Sequence, residues 1–147
     1  MIDPNNVPPV ADNELLARFI VKSNEFRADG TVTHRLFLPY GFELSVTRHR
    51  EATPNEIWEA GVAVAHHRKK TLYGRVDIRA GSCRIGPLDV VERPIPLDNP
   101  EHLPENPNHA DITGYPRNKE DQVSLAKELA AQVEGKKIDP PQPEGNA

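Results

Sequence analysis

The chain has 147 residues, 37% of them hydrophobic, with a formal net charge of −4 and a single cysteine, Cys83. That length bounds it to one domain, and one thiol excludes an intrachain disulfide and a cysteine-built structural zinc site. No apolar run approaches the ~20 residues that span a bilayer, and the polar start MIDPNNVPPVADNE lacks the basic-then-apolar pattern of a secretory signal. The expected location is therefore cytoplasmic, with no membrane partner.

Residues 1–12 hold three prolines and no periodic segment, and are expected to form a disordered arm. A short helical turn is expected at Asn13–Ala17. Strands follow over Arg18–Lys22, Thr31–Leu38 and Phe42–Thr47, the last alternating apolar and polar residues at the period of a half-buried strand. Turn signals at Ala28-Asp-Gly30 and Pro39-Tyr-Gly41 join these three as an antiparallel meander. Thr53-Pro54-Asn55-Glu56 is a capping box with proline at the first helical position. It opens a helix from Pro54 to Lys69 that sets Ile57, Gly61, Val64 and Ala65 on one face, with Trp58 at its edge. The basic end of this helix, His66 to Lys70, complements the helix dipole.

Thr71–Arg79 alternates again, with Arg75, Asp77 and Arg79 on one face as a solvated ladder of opposite charges. After a turn at Ala80-Gly81, Cys83–Val91 reads as a further strand, split or placed at an edge by Gly86-Pro87. Residues 94–108 are an extended proline-rich loop. Ala110 and Ile112 alternate into a short strand, and Gly114 turns the chain out of it. Asn118 then caps a second helix over Lys119–Glu134, with Val123, Ala126, Leu129, Ala130 and Val133 as its apolar stripe and Gly135 closing it. Residues 135–147 are expected to be a disordered tail. The whole reads as one α+β domain over 13–134, a mostly antiparallel sheet of about five strands with two helices packed on it.

Charge is uneven: Glu14 to Arg93 holds 13 basic and 10 acidic residues, the remainder 5 and 12. Arg48, Arg50, Arg68, Lys69, Lys70, Arg75 and Arg79 are the candidates for a basic face that contacts phosphates. A pI near 5.9 is far from that of a dedicated nucleic-acid binder. His109 and Asp111 lie at i, i+2 and share a face if they are on a strand, which makes them the candidate pair for metal-dependent hydrolysis or nuclease chemistry with a distant third ligand. The bland alternative has His109 hydrogen-bonding the adjoining loop. Cys83 reads as a small core residue. No catalytic triad, phosphate loop, metal-ligand motif or cofactor site emerges from the spacing.

The pieces Leu44-Ser-Val46, Asn55-Glu-Ile-Trp58, Leu72-Tyr-Gly-Arg75 and Asn108-His-Ala-Asp-Ile-Thr-Gly-Tyr-Pro116 are similar in order to those of small bacterial proteins of no assigned activity. The similarity covers about Arg18 to Ala131. It implies a bacterial or phage setting and brings no catalytic role. The leading expectation is a non-enzymatic accessory or adaptor protein that binds another protein, with Trp58 and Tyr115 as candidate contacts. Nucleic-acid binding is the alternative, then the hydrolase. A homo-oligomer built on an exposed edge strand is a further expectation.

Overall fold

The computed structural model describes residues 6–141. Leu15–Ile20 (β1), Leu44–Arg48 (β2), Gly74–Arg79 (β3), Asp89–Glu92 (β4) and His109–Thr113 (β5) form one sheet in the order β3-β1-β2-β5-β4, with every pairing antiparallel. Pro54–Arg68 (α1), the single turn Ala80–Cys83 (α2) and Lys119–Gln132 (α3) complete the α+β fold.

Strand alternation divides the sheet into two unlike faces. One carries Leu16, Ile20, Leu44, Val46, Val76, Ile78, Val90, Ala110 and Ile112, all buried, and is covered by Ala126 and Leu129 of α3 and by Leu36 and Phe37. The other has only a small apolar cluster, Ala17, Phe19 and Ile57, where α1 packs over β1. On that face β2 and β5 bear the polar residues Ser45, Thr47, His109 and Asp111. The main core thus lies on one side, and the other side is half open.

The helix signals act as their chemistry demands. Thr53 accepts from Glu56 N at 3.2 Å while the Glu56 carboxylate accepts from Thr53 N at 2.9 Å. Asn118 accepts from Glu120 N and Asp121 N. Lys69 ends α1 in the left-handed region at φ 56°, with Lys70 N donating to Ala65 O at 2.8 Å.

Several expected elements differ. Thr31–Leu38 is not a strand: His34–Phe37 is a 3₁₀ turn. Leu36 and Phe37 are both fully buried, and successive strand residues point to opposite faces, so only a helical turn sends both inward. The first three elements are consequently not a meander, and β3, not a neighbour in sequence, flanks β1. β1 begins at Leu15, where a helical turn was expected. Ala80-Gly81 opens α2 rather than a simple turn, so Cys83 sits on a helical turn and not a strand. The positive φ of Gly86, 52°, and Pro87 hold β4 back to Asp89–Glu92.

Both chain ends were expected to be disordered. Their outermost parts, 1–5 and 142–147, lie outside the described residues. Their inner parts are held. Val10 is buried, Pro8 O accepts from Arg48, and Gly81 N donates to Asp12 O. At the other end Arg75 and Ile138 exchange backbone hydrogen bonds of 3.0 and 2.8 Å, and Lys137 N donates to Gly30 O. Residue 138 thereby closes the outer edge of β3. The outer side of β4 is also engaged, since Arg84 donates to Val90 O.

Candidate functional site

β1 pairs with β3 over six residues but with β2 over only two, Leu16 with Arg48 and Ala17 with Thr47. Continued, that register would match Phe19 with Ser45. Instead the two strands part. The Arg18 guanidinium crosses the seam, Nη1 donating to Ser45 O at 3.1 Å and Nε to Leu36 O at 3.0 Å. A side chain thus satisfies a backbone carbonyl at the point where the ladder stops.

Above the seam lies a cleft of about 380 Å³. Phe19, Val21 and Ser45 contribute to its floor. One wall is α1, through Ala60, Val64 and the last-turn residues His67 and Arg68. The other is the loop, through Ile95, Leu103 and Pro104. α1 approaches closely because residue 61 is glycine: a Cβ there would lie 2.6 Å from Phe19 Cε1.

The loop is not simply extended. Ile95 and Asn106 exchange two backbone hydrogen bonds of 2.9 Å that close its neck. Inside it, Asn99 Nδ2 donates to Pro96 O and Leu103 O, and Asn99 Oδ1 accepts from Leu103 N. This makes a compact Ω-loop. Asn106 Nδ2 anchors it to Thr47 Oγ1 on β2 at 3.1 Å. Leu97, 79% exposed, points away from the fold, while Leu103 reaches the cleft.

At the mouth Tyr40 is 71% exposed. Its ring centroid lies 5.1 Å from the Arg68 guanidinium and 5.7 Å from Lys22 Nζ. Arg68 beside it holds the phenol below its ordinary pKa. Burial pushes Arg18 below its own ordinary value.

The opposite rim gathers Glu43, Arg93, His109 and Asp111. Arg93 Nη1 pairs with Glu43 and with Asp111 Oδ2, the latter at 3.1 Å. His109 Nε2 lies 3.7 Å from Asp111 Oδ1, and its Nδ1 is 3.0 Å from Arg93 O. His109 and Asp111 do share one face of β5, but the His109 ring meets the Arg93 carbonyl at the end of β4 and not the loop over 94–108. Burial holds the Asp111 carboxyl above its ordinary value, and the neighbouring Glu43 adds to this. Among the described residues no third histidine, cysteine or carboxylate joins in a metal-holding group.

The seven basic candidates do not converge. Arg48 is fully buried and forked onto Glu14, Nε to Oε1 at 2.7 Å and Nη2 to Oε2 at 2.8 Å. Arg50 pairs with Glu51, and Arg79 with Glu134. Arg75 stacks on Trp58 at 4.7 Å and pairs with Asp77, which His49 also contacts at 2.9 Å. The expected solvated ladder is therefore a largely buried Arg75–Asp77–His49 cluster, and Arg79 looks elsewhere. Arg68 faces the cleft, and Lys69 and Lys70 are exposed at the end of α1. Tyr115 is buried, donating its hydroxyl to Phe37 O at 2.8 Å, so it offers no surface contact. Trp58 is half-buried, lying against Arg75 of β3. Cys83 is buried, and desolvation pushes its thiol up to about 12.

Sequence reading missed Arg18 and the organisation around Asn99. Arg18 had a signal, being the one charge inside the apolar run Leu15-Leu-Ala-Arg-Phe-Ile-Val21. Fold and site together define an α+β domain with a cleft at a split in its sheet. No protein-family model, curated protein or solved structure matches the chain.

Proposed function

We propose that this chain is a non-enzymatic accessory protein that takes a short segment of another protein into the cleft between α1, the β1–β2 seam and the Ω-loop. The observation that carries the reading is the cleft itself. A cavity of about 380 Å³ with walls from Phe19, Val64, Ile95, Leu103 and Pro104 is a concave apolar surface with a few polar groups at its margins, the composition by which proteins recognise ligands. Its loop wall is already shaped by Asn99 and the Ile95–Asn106 neck, which lowers the ordering cost of binding. Addition of a strand at a sheet edge is less favoured, because residue 138 lies along β3 and Arg84 along β4. His109 and Asp111 then belong to the polar rim, and Lys69 and Lys70 to the solvated end of α1.

The reading is tested by placing a photo-crosslinking residue at Val64 in the full chain, with a control at Ser124 on the exposed side of α3. The expected result is one short partner segment, mapped by mass spectrometry, captured from position 64 and not from 124. Identical products from both positions would show that the cleft is not the docking surface.

A further inference from the structure

We infer that Arg18 is the carboxylate anchor of the cleft: the segment received there carries an acidic group that pairs with the Arg18 guanidinium. This rests on the reading of the cleft as a peptide site.

The two arginines at the seam are treated differently. Arg48, withdrawn from water, is given a bidentate carboxylate and two backbone carbonyls, Pro8 O and Pro9 O. That is the usual requirement for a guanidinium removed from solvent. Arg18 is also drawn into the fold, yet its hydrogen bonds among the described residues go only to Ser45 O and Leu36 O. No carboxylate there pairs with it. The acidic groups nearby do not touch it: Glu25 acts on Arg18 from a distance while accepting from Val21 N and Lys22 N, Glu43 pairs with Arg93, and Glu105 stands exposed on the opposite wall.

Arg18 also lines the cavity, so a guanidinium that feels Glu25 only at a distance and touches no carboxylate is within reach of the cleft. Arg68 lines the same space, and with Lys22 it adds positive potential around Tyr40. A guanidinium fixed by two carbonyls is pre-oriented, and an anion meeting it in a partly dry site forms a stronger bond than it would in water. The apolar walls account for the rest of the ligand: side chains of Leu, Val or Pro type adjacent to the acidic group. A free C-terminus and an Asp or Glu side chain offer the same carboxylate chemistry.

The test uses three synthetic libraries of apolar hexapeptides passed over the immobilised full chain, with retention read by mass spectrometry. One has a free C-terminal carboxylate, one is C-terminally amidated, and one is amidated with a single internal Asp. Retention of the first or the third above the second by about tenfold or more is expected, and which of the two wins identifies the source of the carboxylate. Arg18→Gln, with its fold checked by circular dichroism, is expected to erase the difference while leaving the weak retention of the amidated library. If that variant fails to fold, the same preference is sought in the unaltered chain at rising salt, where it is expected to shrink. Equal retention of all three libraries overturns the anchor while leaving the cleft reading intact. No retention of any library, unchanged by Val64→Trp, overturns both.

Discussion

Glu14 and Arg48, 34 residues apart, meet in a two-pronged ion pair in which Arg48 is fully buried and Glu14 half-buried. Through it the segment before β1 is tied to the end of β2, beside the last register pair before the strands part. Glu14→Ala leaves a buried guanidinium without its counter-charge, which is expected to cost ~3–5 kcal/mol. Urea unfolding followed by circular dichroism measures it. A cost near zero would show that the arm is not fastened there.

Acid titration should expose the same pair. Burial pushes the carboxyls of Glu14 and Asp77 upward, but hydrogen bonds from Arg48 and Ala11 N to Glu14, and from His49 and Arg75 to Asp77, outweigh it and hold both below their ordinary values. A group whose pKa is lower folded than unfolded contributes stability above the unfolded value and loses it as pH falls through the folded one. Stability is therefore expected to drop between about pH 5 and pH 2. The drop should be shallower in Asp77→Asn, read from urea midpoints across that range. Asp111, raised instead, has the opposite sign: its contribution is present at low pH and is lost as pH rises through its folded value.

Gly61→Ala separates helix propensity from packing. In a free helix alanine is better than glycine by ~1 kcal/mol. Here the added methyl would meet the ring of buried Phe19, with Cε1 and Cδ1 at 2.6 and 2.7 Å. Overpacking of this kind costs ~1–3 kcal/mol, so net destabilisation is expected in a denaturant titration. A stabilised variant would mean that α1 rides higher over β1, which would also widen the cleft.

How much of this was legible in the sequence depends on how local the governing interaction is. Thr53 and Glu56, Asn118, and the alternation of Leu44 to Thr47 act within a few residues, and all were read correctly. Thr31–Leu38 has β-rich composition but no alternation, and the need to bury Leu36 and Phe37 together decided it. Arg48 looked like a surface cation, because nothing near it in sequence announces Glu14. The cleft was invisible for a similar reason: it exists because pairing fails between Phe19 and Ser45, 26 positions apart in the chain. His109 and Asp111 were recognisable as neighbours on a strand, but their ties to Arg93 and Glu43 were not.

Removal of residues 136–147 tests the end of the chain. The deletion takes away the backbone hydrogen bonds of Lys137 and Ile138 to Gly30 and Arg75, each worth ~1 kcal/mol net. It also uncovers the edge of β3. A stability loss of about 3 kcal/mol and faster aggregation are expected, from thermal melts and light scattering. An unchanged melt would show that residues 137 and 138 add nothing to the edge.

The most direct test of the central claim is a nuclear magnetic resonance titration of the isotope-labelled full chain with the carboxylate-bearing hexapeptide library. The expected result is movement of the backbone amide signals of Phe19, Ser45, Val64 and Leu103, with those of α3 unmoved. Signals that move only around Trp58 and Val62 of α1, which do not line the cleft, or none that move at all, would contradict it.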